Sequence, residues 1–268
     1  MTQTPNEPSP SNYGAPWRRA DLILAFDLYC RIPFKKTKAN NPCVQELASL
    51  IERSPAGVAR KLGNFGAFDP ELRRQNISGL THGSQLDREI WDEFHRDWSH
   101  LVLVADRLRS KLLHRQIPTT TTFAALKDIP SPLGPSEILV TAKRRIHQAF
   151  FRAAVVSSYQ ERCCITGIDI PECLVGSHII PWSVNEALRA DPQNGLCLSA
   201  TFDRLFDRGL IAISDEFKVI LSGRCRNAVT LPVREQIGRH HGTAITLPIR
   251  FHPSLSSLEW HRRNVFHD

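Results

Sequence analysis

Four residues in the second half of the chain have types and spacing that could do chemistry: His178, Asn194, Asp203 and Asp207, at successive intervals of sixteen, nine and four positions. Hydrolysing a phosphodiester requires a base to take a proton from water, and positive charge to offset the phosphate and help the leaving oxygen. A neutral imidazole suits the first task, and a hard divalent ion held by carboxylate oxygen suits the second. Asp203 and Asp207, four apart, share a face if they lie on a helix. Arg204 and Arg208 then form a neighbouring face suited to phosphates.

The elements that would position these groups can be read around them, between Cys173 and Leu210. Cys173 to Ile180 is apolar and β-prone and Pro181 stops it, so His178 falls on a strand. A polar loop runs to Gln193, and Gly195 to Ser199 reads as a second strand. Ala200 to Arg208 is then a short helix, ended by Gly209. LIAIS and FKVILS, separated by Asp215 and Glu216, read as a following hairpin.

Upstream, the pattern is helical. Leu22, Leu24, Ala25, Leu28 and Tyr29 form a stripe from about Trp17 to Ile32. The segment from Val44 to Phe65 divides at Ser54, which caps a second short helix with Pro55 at its first position. Three helices of this kind form a helix-turn-helix-like unit, whose last helix presents Arg60, Lys61 and Asn64. That face either reads base edges in a major groove or is simply solvated. Ser84 and Asp87 read as a capping box opening a long helix over 85–114. Its apolar residues recur at steps of four and three, so it either packs within the chain or pairs with a second copy. The Thr- and Pro-rich stretch from Ile117 to Pro135 reads as a linker. From Ser136 another helix follows, with Ala142, Ile146, Ala149, Phe150, Ala153 and Val156 on one side and Lys143, Arg144, Arg145 and Arg152 largely on others.

His178, Asn194 and Asp203, within the blocks YQERCCITG, SHIIPWS, DPQNGLCLSATFDRLFDRGLI and LEWHRRNVF, resemble the HNH endonuclease family, the ββα-metal nucleases. The resemblance covers roughly residues 143–266 and lies closest to the bacterial branch found in restriction and modified-DNA-cleaving enzymes. It implies His178 as general base, Asn194 as the residue that ties down the loop orienting it, and Asp203 as a metal ligand. Asp207 falls where some members place another ligand, and the implied products are a 5′-phosphate and a 3′-hydroxyl. Two departures stand out. Ser177 occupies the position before the base where many members carry a ligand, and Asp203 replaces a common histidine, which shifts the expected ion toward Mg²⁺ or Mn²⁺. The AFDLY and VARKLGNF blocks resemble the leader domain that precedes such modules.

Bulk properties agree with a folded protein meeting a polyanion. The 268 residues carry a net charge of +7, with the excess spread over both halves rather than gathered in a tail. Seven cysteines, an odd number, read as reduced thiols in a cytoplasmic chain. No structural zinc is expected, since no CxxC pair exists and Cys163 and Cys164 are adjacent. The start lacks a basic head and an apolar stretch, so a leader over 1–15 without fixed structure is expected, with no membrane partner. His240 and His241 read as solvated, and Trp260 as the residue that packs the final helix.

These readings define an α+β protein: a helical domain over 16–116 expected to recognise DNA, a linker over 117–135 and a ββα-metal HNH module over 136–268. The expected activity is metal-dependent cleavage of double-stranded DNA, in restriction or defence, by a monomer or a homodimer. The alternative is a DNA-binding protein that uses the helix-turn-helix-like unit on an inactive HNH scaffold.

Overall fold

The computed structural model of the protein describes residues 12, 14–77, 79, 83–116 and 135–268; the expected linker up to residue 134 and most of the expected leader lie outside them, and Pro135 begins a helix. The chain is α+β, with helices up to residue 116 and two small antiparallel hairpins among helices after residue 135.

The helical part is built around α1, Arg19–Arg31. The expected one-sided stripe is only part of its apolar surface, because every residue from Asp21 to Cys30 is buried. Such a helix is wrapped by others on all sides, and its acids must be paired. Asp21 meets Arg18 at 2.9 Å and Arg53 at 3.6 Å, while Asp27 meets Arg31 at 2.8 Å and Arg109 at 3.4 Å. The Tyr29 hydroxyl donates to Asp69 at 2.9 Å.

Two short helices follow, α2 (Pro42–Leu50) and α3 (Pro55–Phe68), and Ser54 caps α3 by accepting from the Gly57 N–H at 3.1 Å. The short α4 (Pro70–Arg74) is capped by Asp69.

The expected long helix over 85–114 is two helices, α5 (Gln85–Phe94) and α6 (Trp98–Gln116). The capping box of Ser84 and Asp87 opens α5 as expected. The break has a local cause, since Asp97 accepts from the His100 N–H at 2.9 Å and caps a new start. It also has a packing cause. A straight helix of that length would run about 45 Å, whereas the bend lets Trp91 and Trp98 both reach Phe26 of α1, with ring centroids 5.4 and 6.2 Å away. The apolar stripe that motivates a dimer, Ile90, Phe94, Trp98, Leu101 and Ala105, is buried within the chain.

The helix α7 (Pro135–Ser158) joins the two parts. Phe150 and Ala154 pack into the helical core, and Phe151, Val155 and Val156 into the second core. This corrects the one-sided face expected from the sequence, because Ala149 is exposed and Ala153 only half-buried, while Phe151 and Val155 are buried. A helix lying between two cores buries both flanks, so its pattern does not show one stripe.

Near this joint lies Arg250, 0% exposed. Its guanidinium donates to the carbonyls of Tyr29 at 2.6 Å and Ile32 at 2.8 Å, and to the Ser157 hydroxyl at 3.3 Å. The Ser157 hydroxyl in turn donates to the Cys30 carbonyl at 2.8 Å. The carbonyls left open at the C-terminal end of α1 are thus satisfied by residues from the second part.

The second part contains β1 (Leu174–His178), β2 (Gly195–Ser199), α8 (Ala200–Asp207), β3 (Ile211–Ile213) and β4 (Val219–Leu221), in the expected order. Short helices α9 (Gly223–Arg226) and α10 (Leu231–Gln236) follow, and α11 (Leu255–Asn264) closes the chain. On α11 the buried residues are Ser257, Leu258 and His261, with Trp260 only half-buried, so His261 replaces Trp260 as the packing residue. The His261 ring lies flat on Phe206, 3.7 Å between centroids, and its Nε2 bonds the Phe206 carbonyl at 3.1 Å. Burial drives its pKa down to about 4. The pair His240 and His241 is also not simply solvated: His240 is buried edge-on to Phe202, and the Nδ1 of His241 accepts from the Leu221 N–H at 3.2 Å.

Candidate active site

β1 and β2 pair antiparallel with His178 opposite Gly195, and α8 leaves directly from the end of β2. A Cβ at position 195 would stand 2.3 Å from Val155 and 2.9 Å from Phe151. Glycine there lets α7 lie against the end of the hairpin, and the contact is used. The Phe151 ring is stacked flat on the His178 imidazole, 3.5 Å between centroids and 9° from parallel. The Trp182 ring meets His178 at 5.8 Å and 89°.

The remaining freedom of His178 is set by one hydrogen bond, between its Nε2 and the Arg189 carbonyl at 3.1 Å. A carbonyl only accepts, so Nε2 carries the hydrogen and Nδ1 carries the lone pair. Burial lowers the His178 pKa, with the Arg189 carbonyl opposing that shift. The ring is therefore neutral near pH 7 and able to take a proton at Nδ1.

Asn194, 1% exposed, holds the loop between the strands closed. Its Oδ1 accepts from the Ile180 N–H at 2.9 Å and its Nδ2 donates to the Ile180 carbonyl at 3.0 Å. The main chain adds a bond from the Ile179 N–H to the Asn194 carbonyl at 2.9 Å. Asn194 thus pins the residues next to His178, in a loop whose far side supplies the Arg189 carbonyl.

α8 is anchored by Phe202 and Phe206, both buried and four residues apart. This turns Asp203, Asp207 and the arginines outward. Asp203 is half-buried, and Arg204, Asp207 and Arg208 are exposed. The Asp207 carboxyl is raised above its ordinary range, first by desolvation and next by the charge of Asp203, with Arg204 and Arg208 pulling the other way. The helix ends at Gly209, φ +65°, where a Cβ would stand 1.9 Å from the Val265 carbonyl oxygen.

The two aspartates are therefore close enough to repel, which suits a shared cation. Among the described residues, no group of three His, Cys, Asp or Glu side chains is assembled as a metal cluster. Two carboxylates are still enough for Mg²⁺, which keeps waters and takes further oxygens from a substrate phosphate. Ser177 is 2% exposed, and its hydroxyl has no hydrogen-bond partner among the described residues. Cys163, Cys164 and Cys197 are buried free thiols; burial raises the Cys164 thiol well above its ordinary value and pushes Cys197 up to about 12.

The three residues expected to touch DNA on α3 are divided. Arg60 is exposed, but Lys61 reaches Asp87 at 2.9 Å and Asn64, 5% exposed, donates to the same carboxylate at 3.1 Å. Sequence reasoning missed Phe151, Trp182 and the Arg189 carbonyl, which surround His178. The adjacent pair Phe150 and Phe151 on α7 was a usable signal for the first, since neighbouring aromatics point about 100° apart on a helix and so call for apolar surroundings on two sides. A backbone carbonyl leaves no trace in side-chain types.

Residues 163–214 match the family model described as HNH endonuclease. This segment, which holds His178, Asn194, Asp203 and Asp207, is what the chain has in common with HNH endonucleases. Among solved structures, the chain is similar to one titled "Modification dependent TagI restriction endonuclease", at 20% identity and a TM-score of 0.29, over 43% of this chain and 37% of that one. No curated protein matches the chain.

Proposed function

We propose that the protein is a metal-dependent DNA endonuclease acting in restriction of foreign or modified DNA. The observation that carries this reading is the state of His178: neutral, flat against Phe151, with Nε2 tied to the Arg189 carbonyl and Nδ1 left as the base. Nδ1 takes a proton from the attacking water, and Asn194 keeps the loop, and so the ring, in place. Asp203 and Asp207 would hold a divalent ion, Mg²⁺ or Mn²⁺, which when bound supplies the charge that offsets the phosphate and eases departure of the leaving oxygen. Arg204 and Arg208, beside them, bind the flanking phosphates. The role in defence rests on the resemblance of the sequence blocks to restriction-type members.

The test is nicking of supercoiled plasmid, methylated and unmethylated, by the full chain with Mg²⁺ or Mn²⁺. His178→Ala is expected to slow nicking by about 10²- to 10⁴-fold, as for loss of a general base. The acid limb of the wild-type rate is expected below the ordinary imidazole value of about 6.5, because burial holds the pKa of the base down. Equal nicking by the variant removes the assignment.

A further inference from the structure

Behind the Trp182 side of the active site, a cleft of about 860 Å³ opens between the α5–α6 turn, α7 and the loop after β1. Its walls differ in how their charges are used. The acids are committed: Asp97 caps α6, and Glu186 pairs with Arg189 at 2.8 Å. Lys143 and Arg144, consecutive on α7, are exposed and make no ion pair with any described residue. Trp182 is held upright by Arg189, whose Nε donates to the Trp182 carbonyl at 3.1 Å and whose guanidinium lies 5.1 Å from the ring. The same Trp182 ring faces His178 at 5.8 Å and His147 of α7 at 6.3 Å, so it is the shared wall of cleft and catalytic histidine.

A site with two unpaired cations, an aromatic wall and room for about one or two nucleotides is suited to a nucleic-acid backbone. We propose that this cleft holds the phosphodiester backbone of the DNA strand next to the scissile bond, with Lys143 and Arg144 on its phosphates and Trp182 between it and His178. The helical part then borders the bound strand through the α5–α6 turn that walls the cleft. The inference rests on the nuclease reading for the position of the scissile bond.

Binding is tested apart from cleavage, by anisotropy of a labelled 30-base-pair DNA duplex in EDTA over a series of salt concentrations. The double variant K143E/R144E is expected to bind about tenfold or more weakly at moderate salt, and its salt slope to fall by about one for each phosphate no longer neutralised. R224E, on α9, serves as the control and should bind as wild type does. Both variants should melt at the wild-type temperature, since all three side chains are exposed. Unchanged affinity and slope in K143E/R144E overturn the cleft even if plasmid is nicked, as does tighter binding of an RNA duplex of the same sequence. Weakened binding by that variant, in a protein that nicks nothing with any divalent ion, keeps the cleft and removes the nuclease reading.

Discussion

The helices α3 and α7 both carry basic residues along one side, and the chain uses them in opposite ways. On α3, Lys61 and Asn64 converge on Asp87, which is 0% exposed, and so fasten α3 to the start of α5. On α7, Lys143 and Arg144 make no ion pair with any described residue and stand exposed at the cleft. On α3, residue type and spacing nominate a DNA-reading face, and the fold ties up two of its three residues. What separates the two helices among the described residues is Asp87, distant in sequence and placed by the fold to pair with the charge on α3, while the acids near Lys143 and Arg144, namely Asp97 and Glu186, make their contacts elsewhere.

The strongest way to break this contrast is Asp87→Ala. It removes the partner of a Lys61 that is largely out of solvent, a hydrogen bond from Asn64 and half of a capping box. The expected loss is about 3–5 kcal/mol, the range for breaking a buried charge pair, read by urea unfolding; a loss below about 1 kcal/mol would place Lys61 among solvated surface charges.

The second part has its own buried titratable group, and there the contrast is sharpened by pH. His261 is neutral in the fold, with a pKa near 4, against about 6.5 when unfolded. Between those values the unfolded chain binds more protons, so stability is full above about pH 6.5 and declines as pH falls toward 4. The total is on the order of 3 kcal/mol. Unfolding measured from pH 7 to pH 4.5 should show the decline, and His261→Phe should make it shallower, leaving the smaller share of other histidines lowered by burial, such as His178.

The smallest effect is expected at Arg60, the member of the α3 trio left on the surface. Arg60→Ala should change stability by less than about 0.5 kcal/mol, and melting of this variant beside Asp87→Ala measures the contrast directly.

Much of the second part was legible because its elements are short and locally punctuated. Pro181 and Gly209 mark ends that any reader of turns would mark, and the hairpin, α8 and its face of aspartates follow. The bend at Asp97 was less legible, because an Asp in a continuous apolar stripe is as compatible with an exposed position as with a cap. The environment of His178 was not legible at all. Its plane is set by Phe151 from a helix that precedes it by 27 positions, and its tautomer by a main-chain carbonyl.

Arg250 bears on modularity. The segment that matches the HNH model lies beyond the Thr- and Pro-rich stretch, yet Arg250, on the same side of it, spends two of its hydrogen bonds on the carbonyls of Tyr29 and Ile32. A gene cut in the Thr- and Pro-rich stretch would separate the cation from those acceptors and leave the end of α1 uncapped. Each part expressed alone from such a cut should therefore be less stable than it is in the full chain.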